Sequence, residues 1–317
     1  MHIPDHTLDP MTCLGTGAIS AVALGYALYR VRTEPPERLR TLLAPSAACV
    51  FAAQMLNWPL PGGISGHLIG GVLASILLGP WGGMLTVAIV LTIQAFLFQD
   101  GGVMALGANV LNMAVVSAGV GYPIYYFTSR VLHGWPGRLL GAGLASWIAV
   151  LVGAAFCSLE LSLGTSHDLS ATLAAMLPAH AMIGVGEALV TSGAVALLLF
   201  VGHNAPADLA GWQLTAGRST PLLAGLAAGL VMAAFLSPLA STLPDGLDAA
   251  LERLGLQHLE ATATWSPLKD YEVSSSTGFA AACSLAGALG TLATFLVSLG
   301  VSRVWIRAAG KSSLAPS

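Results

Sequence analysis

Residues 139–160, LLGAGLASWIAVLVGAAFCSLE, carry a single charged side chain, Glu160, at their very end. A helix rises 1.5 Å per residue, so about 20 apolar residues cross a hydrocarbon core of about 30 Å. This stretch has that length, and stretches like it recur along the whole sequence. Of the 317 residues 55% are apolar and 9% charged, against about 25% charged in soluble domains. The composition therefore predicts an all-α polytopic membrane helix bundle. It gives about nine transmembrane helices, at roughly 10–29, 41–57, 66–80, 82–98, 107–127, 139–160, 177–201, 221–241 and 278–302. The third and fourth are short, and the third follows a Pro/Gly-rich stretch, Asn57 to Gly66, of the kind that marks re-entrant backbone around a binding site. Pro178 suggests a later start for the seventh.

The twelve Lys and Arg residues orient the bundle. Arg30, Arg32, Arg38, Arg40, Arg130, Arg138, Arg218, Arg303, Arg307 and Lys311 all follow odd-numbered spans. Only Arg253 and Lys269 fall opposite, in a loop that also holds Asp245, Asp248, Glu252, Glu260, Asp270 and Glu272. By the positive-inside rule the N-terminus lies outside and the C-terminus inside. MHIPDHTLDP has no basic start and no small-residue cleavage site, so no signal is expected to be removed. A net charge of −3 without a basic-aromatic groove gives no reason to expect nucleic acid as a partner. Cys13, Cys49, Cys157 and Cys283 lack CxxC spacing and read as small packing residues.

The polar break HNAPADLAGWQLTAGRST, 203–220, divides seven spans from two. It gives a domain of 1–202, a cytoplasmic linker of 203–220 and a two-helix hairpin of 221–317 with an outer loop, 242–277. In that loop Pro244-Asp245-Gly246-Leu247-Asp248 can start a short amphipathic helix over 247–254, ended by Gly255. Gly17, Ala21 and Gly25, and likewise Ala282, Ala286 and Gly290, form smooth faces suited either to docking on another membrane subunit or to internal packing.

His2 is the most informative residue for chemistry. A histidine directly after a free amino terminus offers the α-amine, its own amide and its imidazole as fused chelate rings in one plane. One further imidazole completes a square, the geometry that favours Ni(II) or Cu(II). Protons must leave first, so binding weakens in acid. His67, after Pro61-Gly62-Gly63-Ile64-Ser65-Gly66 at the outer start of span three, falls on the same side by charge topology. Without a partner, a penultimate histidine is an accident and His67 a cap or surface group.

Met1-His2-Ile3-Pro4-Asp5, Phe51 through Pro59, Gly62-Gly63-Ile64-Ser65-Gly66-His67-Leu68, Gln99-Asp100-Gly101-Gly102 with Leu106 through Met113, and His180 through Ala188 resemble the substrate-binding membrane component of nickel/cobalt energy-coupling-factor transporters. Pro244 through Asp248 and Pro267-Leu268-Lys269-Asp270-Tyr271 resemble its small accessory component, here fused, with Asp248 where Glu is usual. The resemblance implies that the amino-terminal segment tucks into the bundle and that Met1, His2 and His67 bind Ni(II) or Co(II) as transported substrate. It further implies import driven by ATP hydrolysis on separate cytoplasmic ATPase subunits, reached through an integral coupling subunit, in a bacterial-type cytoplasmic membrane. No GxxxxGKS loop is present, so the chain itself is not expected to be an enzyme.

Ser65, Asn57, Gln94, Asn109 and Asn112 are candidates to orient the His67 loop, with inter-helix hydrogen bonding the other reading. Asp100 reads as a turn cap and His6 as a solvated group. His133, His167, His203 and His258 have no partner spacing. His180 and Glu187, two turns apart on one face, admit a second function, a self-sufficient proton-coupled carrier, although a supporting role fits them better. An intramembrane metalloenzyme is weakest, since no HExxH pair occurs.

Overall fold

The computed structural model describes residues 1–32, 36–203, 220–257, 268 and 279–312. Helices α1 (Pro10–Val31), α2 (Pro36–Gln54) and α3 (Gly71–Ile93, continued as a wider turn over Gln94–Phe98) are followed by α4 (Leu106–Val110). Two wide turns, Leu111–Val115 and Ser117–Gly121, carry α4 into α5 (Tyr122–Val131). Then come α6 (Gly134–Thr165), α7 (Leu169–His203), α8 (Thr220–Leu236), the short α9 (Gly246–Arg253) and α10 (Phe279–Ser312). Between α2 and α3 a small antiparallel hairpin pairs β1 (Trp58–Leu60) with β2 (Ile64–Gly66), with Trp58 opposite Gly66. Among the described residues seven helical stretches are long and apolar enough to cross a membrane, so the chain is a multi-pass membrane protein. α2 is not one of them, its first turn carrying Glu37, Arg38 and Arg40.

The expected third and fourth spans correspond to α3, which is not a single rod. Gly79 is non-helical at φ 77°, ψ 166° and Pro80 follows it. A Cβ on Gly83 would lie 2.5 Å from the Ser75 backbone, which residues eight apart on one helix cannot approach at 1.5 Å rise per residue. The chain therefore doubles back at Gly79–Pro80, and glycine at 82 and 83 lets the two arms touch. Arg38 lies at the turn, its Nε donating to the Leu77 carbonyl (2.8 Å).

Three boundaries differ from expectation. Residues 67–70 are irregular rather than the first turn of a helix: β2 ends at Gly66, and Gly70 takes the left-handed conformation at φ +73°. Asn57 lies beyond α2, which stops at Gln54. α7 starts at Leu169 and runs through Pro178, since a proline removes one donor without forcing a long apolar helix to end.

The small-residue face of α10 serves internal packing, whereas on α1 only Gly17 is in contact and Ala21 and Gly25 are exposed. Gly17 of α1 meets Gly107 of α4 with no room for a side chain on the latter, and the Ser20 hydroxyl donates to the Gly107 carbonyl (2.6 Å). On α10, Ala286 is fully buried and Gly290 lies against Phe51 and Phe98. Between α8 and α10, α9 forms where the turn chemistry places it. Asp245 caps it, the Asp248 carboxylate accepts in return from the Asp245 amide (3.0 Å), and Gly255 follows its end at φ +70°. Of the expected linker 203–220, His203 ends α7 and Thr220 begins α8, while residues 204–219 and the loop residues 258–267 and 269–278, with Pro267, Lys269, Asp270 and Tyr271, lie outside the described residues.

Substituting Gly83 by valine forces the arms of α3 apart. An overpacking cost of about 1–3 kcal/mol should appear as a lower melting temperature in detergent, whereas Gly15→Ala, with open space around it, should leave that temperature unchanged.

Candidate metal site

The first five residues are threaded into the bundle. Met1 is 3% and Ile3 0% exposed. Buried backbone groups need partners, and Asn109 supplies two for one residue. Its Oδ1 accepts from the Ile3 amide (2.8 Å), and its Nδ2 donates to the Ile3 carbonyl (3.1 Å), which also accepts from the Gly102 amide (2.8 Å). Asp5 then accepts from the amides of Val103 (3.1 Å) and Met104 (2.7 Å). The segment is held by its peptide groups, which fixes where residues 1 and 2 fall.

They fall beside His67. The Met1 amino nitrogen is 3.3 Å from His67 Nε2, and the His2 and His67 rings stack 4° from parallel with centroids 5.1 Å apart. His67 Nδ1 lies 3.0 Å from the Leu68 carbonyl. Donation of Nδ1–H to that oxygen leaves Nε2 as the bare nitrogen facing the amine. His2 Nδ1 is 2.8 Å from Asp100 Oδ1, so Asp100 is a partner of His2 and not only a turn cap. The fused chelate needs that same nitrogen, so closing it requires His2 Nδ1 to exchange Asp100 for an ion. Burial pushes the His2 imidazole below its ordinary value, with Asp100 opposing that shift.

The loop bearing His67 is clamped from below. Glu187 of α7 accepts from the amides of Ile69 (2.6 Å) and Gly70 (2.9 Å), and Gln54 of α2 donates to the Ile69 carbonyl (2.7 Å). Gln94 acts through Gln54, donating to its Oε1 (2.9 Å). Sequence reasoning missed Gln54 and this use of Glu187, because the partners are backbone groups distant in sequence. Asn112 does not reach the loop; it donates to Glu160 (2.6 Å) between helices. The Asn57 carbonyl accepts from the Ser241 amide (2.8 Å), and Ser65 holds the same strap through Ser65 N to Pro244 O (2.8 Å) and Ser65 Oγ to Leu243 O (2.8 Å). His180 Nδ1 pairs with the Met176 carbonyl of its own helix (2.8 Å).

One carboxylate joins the site that was read from sequence only as part of a motif. Asp245 Oδ2 is 3.3 Å from the Met1 nitrogen and 3.5 Å from His67 Nε2. Burial raises its pKa, but the amino-terminal charge and the His67 hydrogen bond outweigh this and hold the carboxyl well below the usual range. Among the described residues no group of three or more His, Cys, Asp or Glu side chains is arranged to hold a metal by itself. The candidate ligands include the backbone amine and the His2 amide. If the clamp on residue 3 positions the amine, Asn109→Leu should weaken metal binding in detergent. Two lost hydrogen bonds at about 1 kcal/mol each amount to roughly thirtyfold, measurable by calorimetric titration.

Comparison with known proteins fits this picture. Residues 2–205 match the family described as cobalt uptake substrate-specific transmembrane region, and residues 219–307 match the PDGLE domain. A putative fused nickel transport protein of Archaeoglobus fulgidus is 45% identical over 62% of this chain and 65% of its own length, slightly under two thirds. A probable fused nickel transport protein of Lactiplantibacillus plantarum is 33% identical over 83% of each chain. A cobalt transport protein of Sorangium cellulosum is 31% identical over 62% of this chain and 91% of its own. The crystal structure of a truncated transition metal transporter aligns at a TM-score of 0.58 and 32% identity, covering 63% of this chain and 99% of that one. The chain thus belongs to the cobalt uptake substrate-specific transmembrane family of nickel and cobalt transport proteins, fused to a PDGLE domain.

Proposed function

We propose that the chain captures Ni(II), with Co(II) the next best fit, at the outer face of a bacterial-type cytoplasmic membrane. Import is driven by ATP hydrolysis on separate subunits, reached through an integral coupling subunit. The ligands are the Met1 amine, the His2 amide and Nδ1, and His67 Nε2. The observation that carries this reading is the buried amino terminus 3.3 Å from His67 Nε2. Nickel is preferred because four nitrogens in a plane suit it, and relatives named for both nickel and cobalt support the pair of ions. Arginines Arg30, Arg38, Arg130 and Arg138 in the loops and helix ends away from the site support placing it outside. The self-sufficient carrier is disfavoured because Glu187 already accepts from two backbone amides and His180 Nδ1 already donates to the Met176 carbonyl.

Three outcomes test the reading. One residue added before Met1 should abolish tight binding while leaving the ion-free protein folded, with its helical content by circular dichroism unchanged; equal affinities of the two forms count against the site. His67→Ala should weaken Ni(II) binding by two or more orders of magnitude in calorimetric titration, roughly the loss of one metal–imidazole bond. Affinity should also fall as pH drops from about 8 to 6, because the amine and amide must release protons for the ion. His2, whose pKa burial already lowers, should contribute little to that slope. Titrations in buffers of different ionisation enthalpy count the protons released. Uptake in vesicles should require the ATPase and coupling subunits; uptake by the chain alone would favour the carrier.

A further inference from the structure

Asp245 belongs to the PDGLE part of the chain, yet one of its oxygens lies in the candidate site of the other part. Oδ1 is spent on the helix cap, accepting from the amides of Leu247 (2.7 Å) and Asp248 (2.9 Å). Oδ2 is left facing the Met1 nitrogen at 3.3 Å and His67 Nε2 at 3.5 Å, and those two nitrogens are 3.3 Å apart. In a triangle of those sides a central ion stands about 2 Å from every corner, an ordinary bond length from a divalent first-row metal to nitrogen or carboxylate oxygen.

The carboxylate is held there from several directions. Ser65 takes the carbonyls of Leu243 and Pro244 just before it. Just after it, Gly246 packs on His180 and Ile183 so closely that a Cβ would lie 2.7 Å from Ile183 Cδ1 and 3.0 Å from His180 Cε1. Leu247 and Leu251 of α9 are 1% and 0% exposed, which anchors the helix that Asp245 caps.

Charge points the same way. A divalent ion on one deprotonated amide leaves a net positive charge, in a place where the Met1 and His67 side chains are 1% and 9% exposed. Isolated charge in such surroundings is costly, and a carboxylate within reach removes it. Nickel and cobalt accept oxygen donors beside imidazole.

We infer that Asp245 is an oxygen ligand of the transported ion, supplied by the accessory part of the chain, so that the site is complete only with α9 docked. The inference rests on the reading of Met1, His2 and His67 as nitrogen ligands. It is tested on the full chain purified in detergent, as wild type, Asp245→Asn and His67→Ala, titrated with Ni(II) and with Co(II) while the visible spectrum of the Co(II) complex is recorded. Asparagine keeps an oxygen for the α9 cap and nearly the same volume, so α9 should stay docked. The expected result is an affinity about tenfold or more weaker for Asp245→Asn, with displaced Co(II) bands as an oxygen donor leaves the ion. An unchanged spectrum, at whatever affinity, overturns the inference and leaves Asp245 as a counter-charge displaced by the ion. Should Asp245→Asn bind too weakly for a spectrum, Asp245→Glu decides: binding regained with bands like those of the wild type supports an oxygen ligand, and none regained overturns it. Undiminished binding by His67→Ala would strike instead at the nitrogen site, whichever way Asp245→Asn behaves.

Discussion

An amino group withdrawn from water has to be met by acceptors, and the rest of the arrangement follows from how that is done here. The Met1 nitrogen is 3.3 Å from both His67 Nε2 and Asp245 Oδ2, in surroundings where the Met1 side chain is 1% exposed. Each acceptor comes from an irregular stretch that lipid would not tolerate unpaired. His67 sits on four irregular residues whose amides at 69 and 70 are taken up by Glu187, and Asp245 sits on a strap stitched to Ser65. Without those supports the acceptors would be free to wander. With them, three donor atoms of different chemistry converge on one small volume.

The helices could be read from the sequence because lipid leaves little choice: a crossing stretch must be apolar on nearly every side, so hydropathy and length suffice for α1, α6, α7, α8 and α10. The Pro/Gly-rich stretch before the third span and the shortness of that span pointed to irregular backbone, and the reversal at Gly79–Pro80 and the non-helical residues 67–70 are its form. What eluded the sequence was the helical boundary itself. A glycine such as Gly70 states that a left-handed backbone is allowed, not that it is used.

Part of the site was legible for a chemical reason. A histidine in second position defines its own chelate geometry, and charge distribution placed His67 on the same side. Asn109 was suspected from its cost in an apolar helix, but its partner, the Ile3 peptide, carries no side-chain signature. Gln54 was passed over on the same ground; a supporting role was expected for Glu187 but not the backbone amides it takes, and Asp100 was read as a turn cap because its pairing with the His2 ring joins two residues far apart in sequence. The motif Pro244 to Asp248 announced a capped helix, and the cap is there. Nothing in the pattern could show that a carboxylate has two oxygens with different employers, one facing α9 and the other the amino terminus.

The amino-terminal segment is gripped through the amide and carbonyl of residue 3 and through the carboxylate of residue 5, while the side chain of Ile3 only fills space. Such an anchor acts as a length gauge. It counts peptide units between the fixed point and the first nitrogen and is nearly indifferent to which apolar group stands at the third position. Exchange of one aliphatic residue for another there is absorbed by packing, whereas deletion or insertion of a single unit moves the amine by a full residue step, about 3.5 Å along an extended chain, and takes it out of reach of both acceptors.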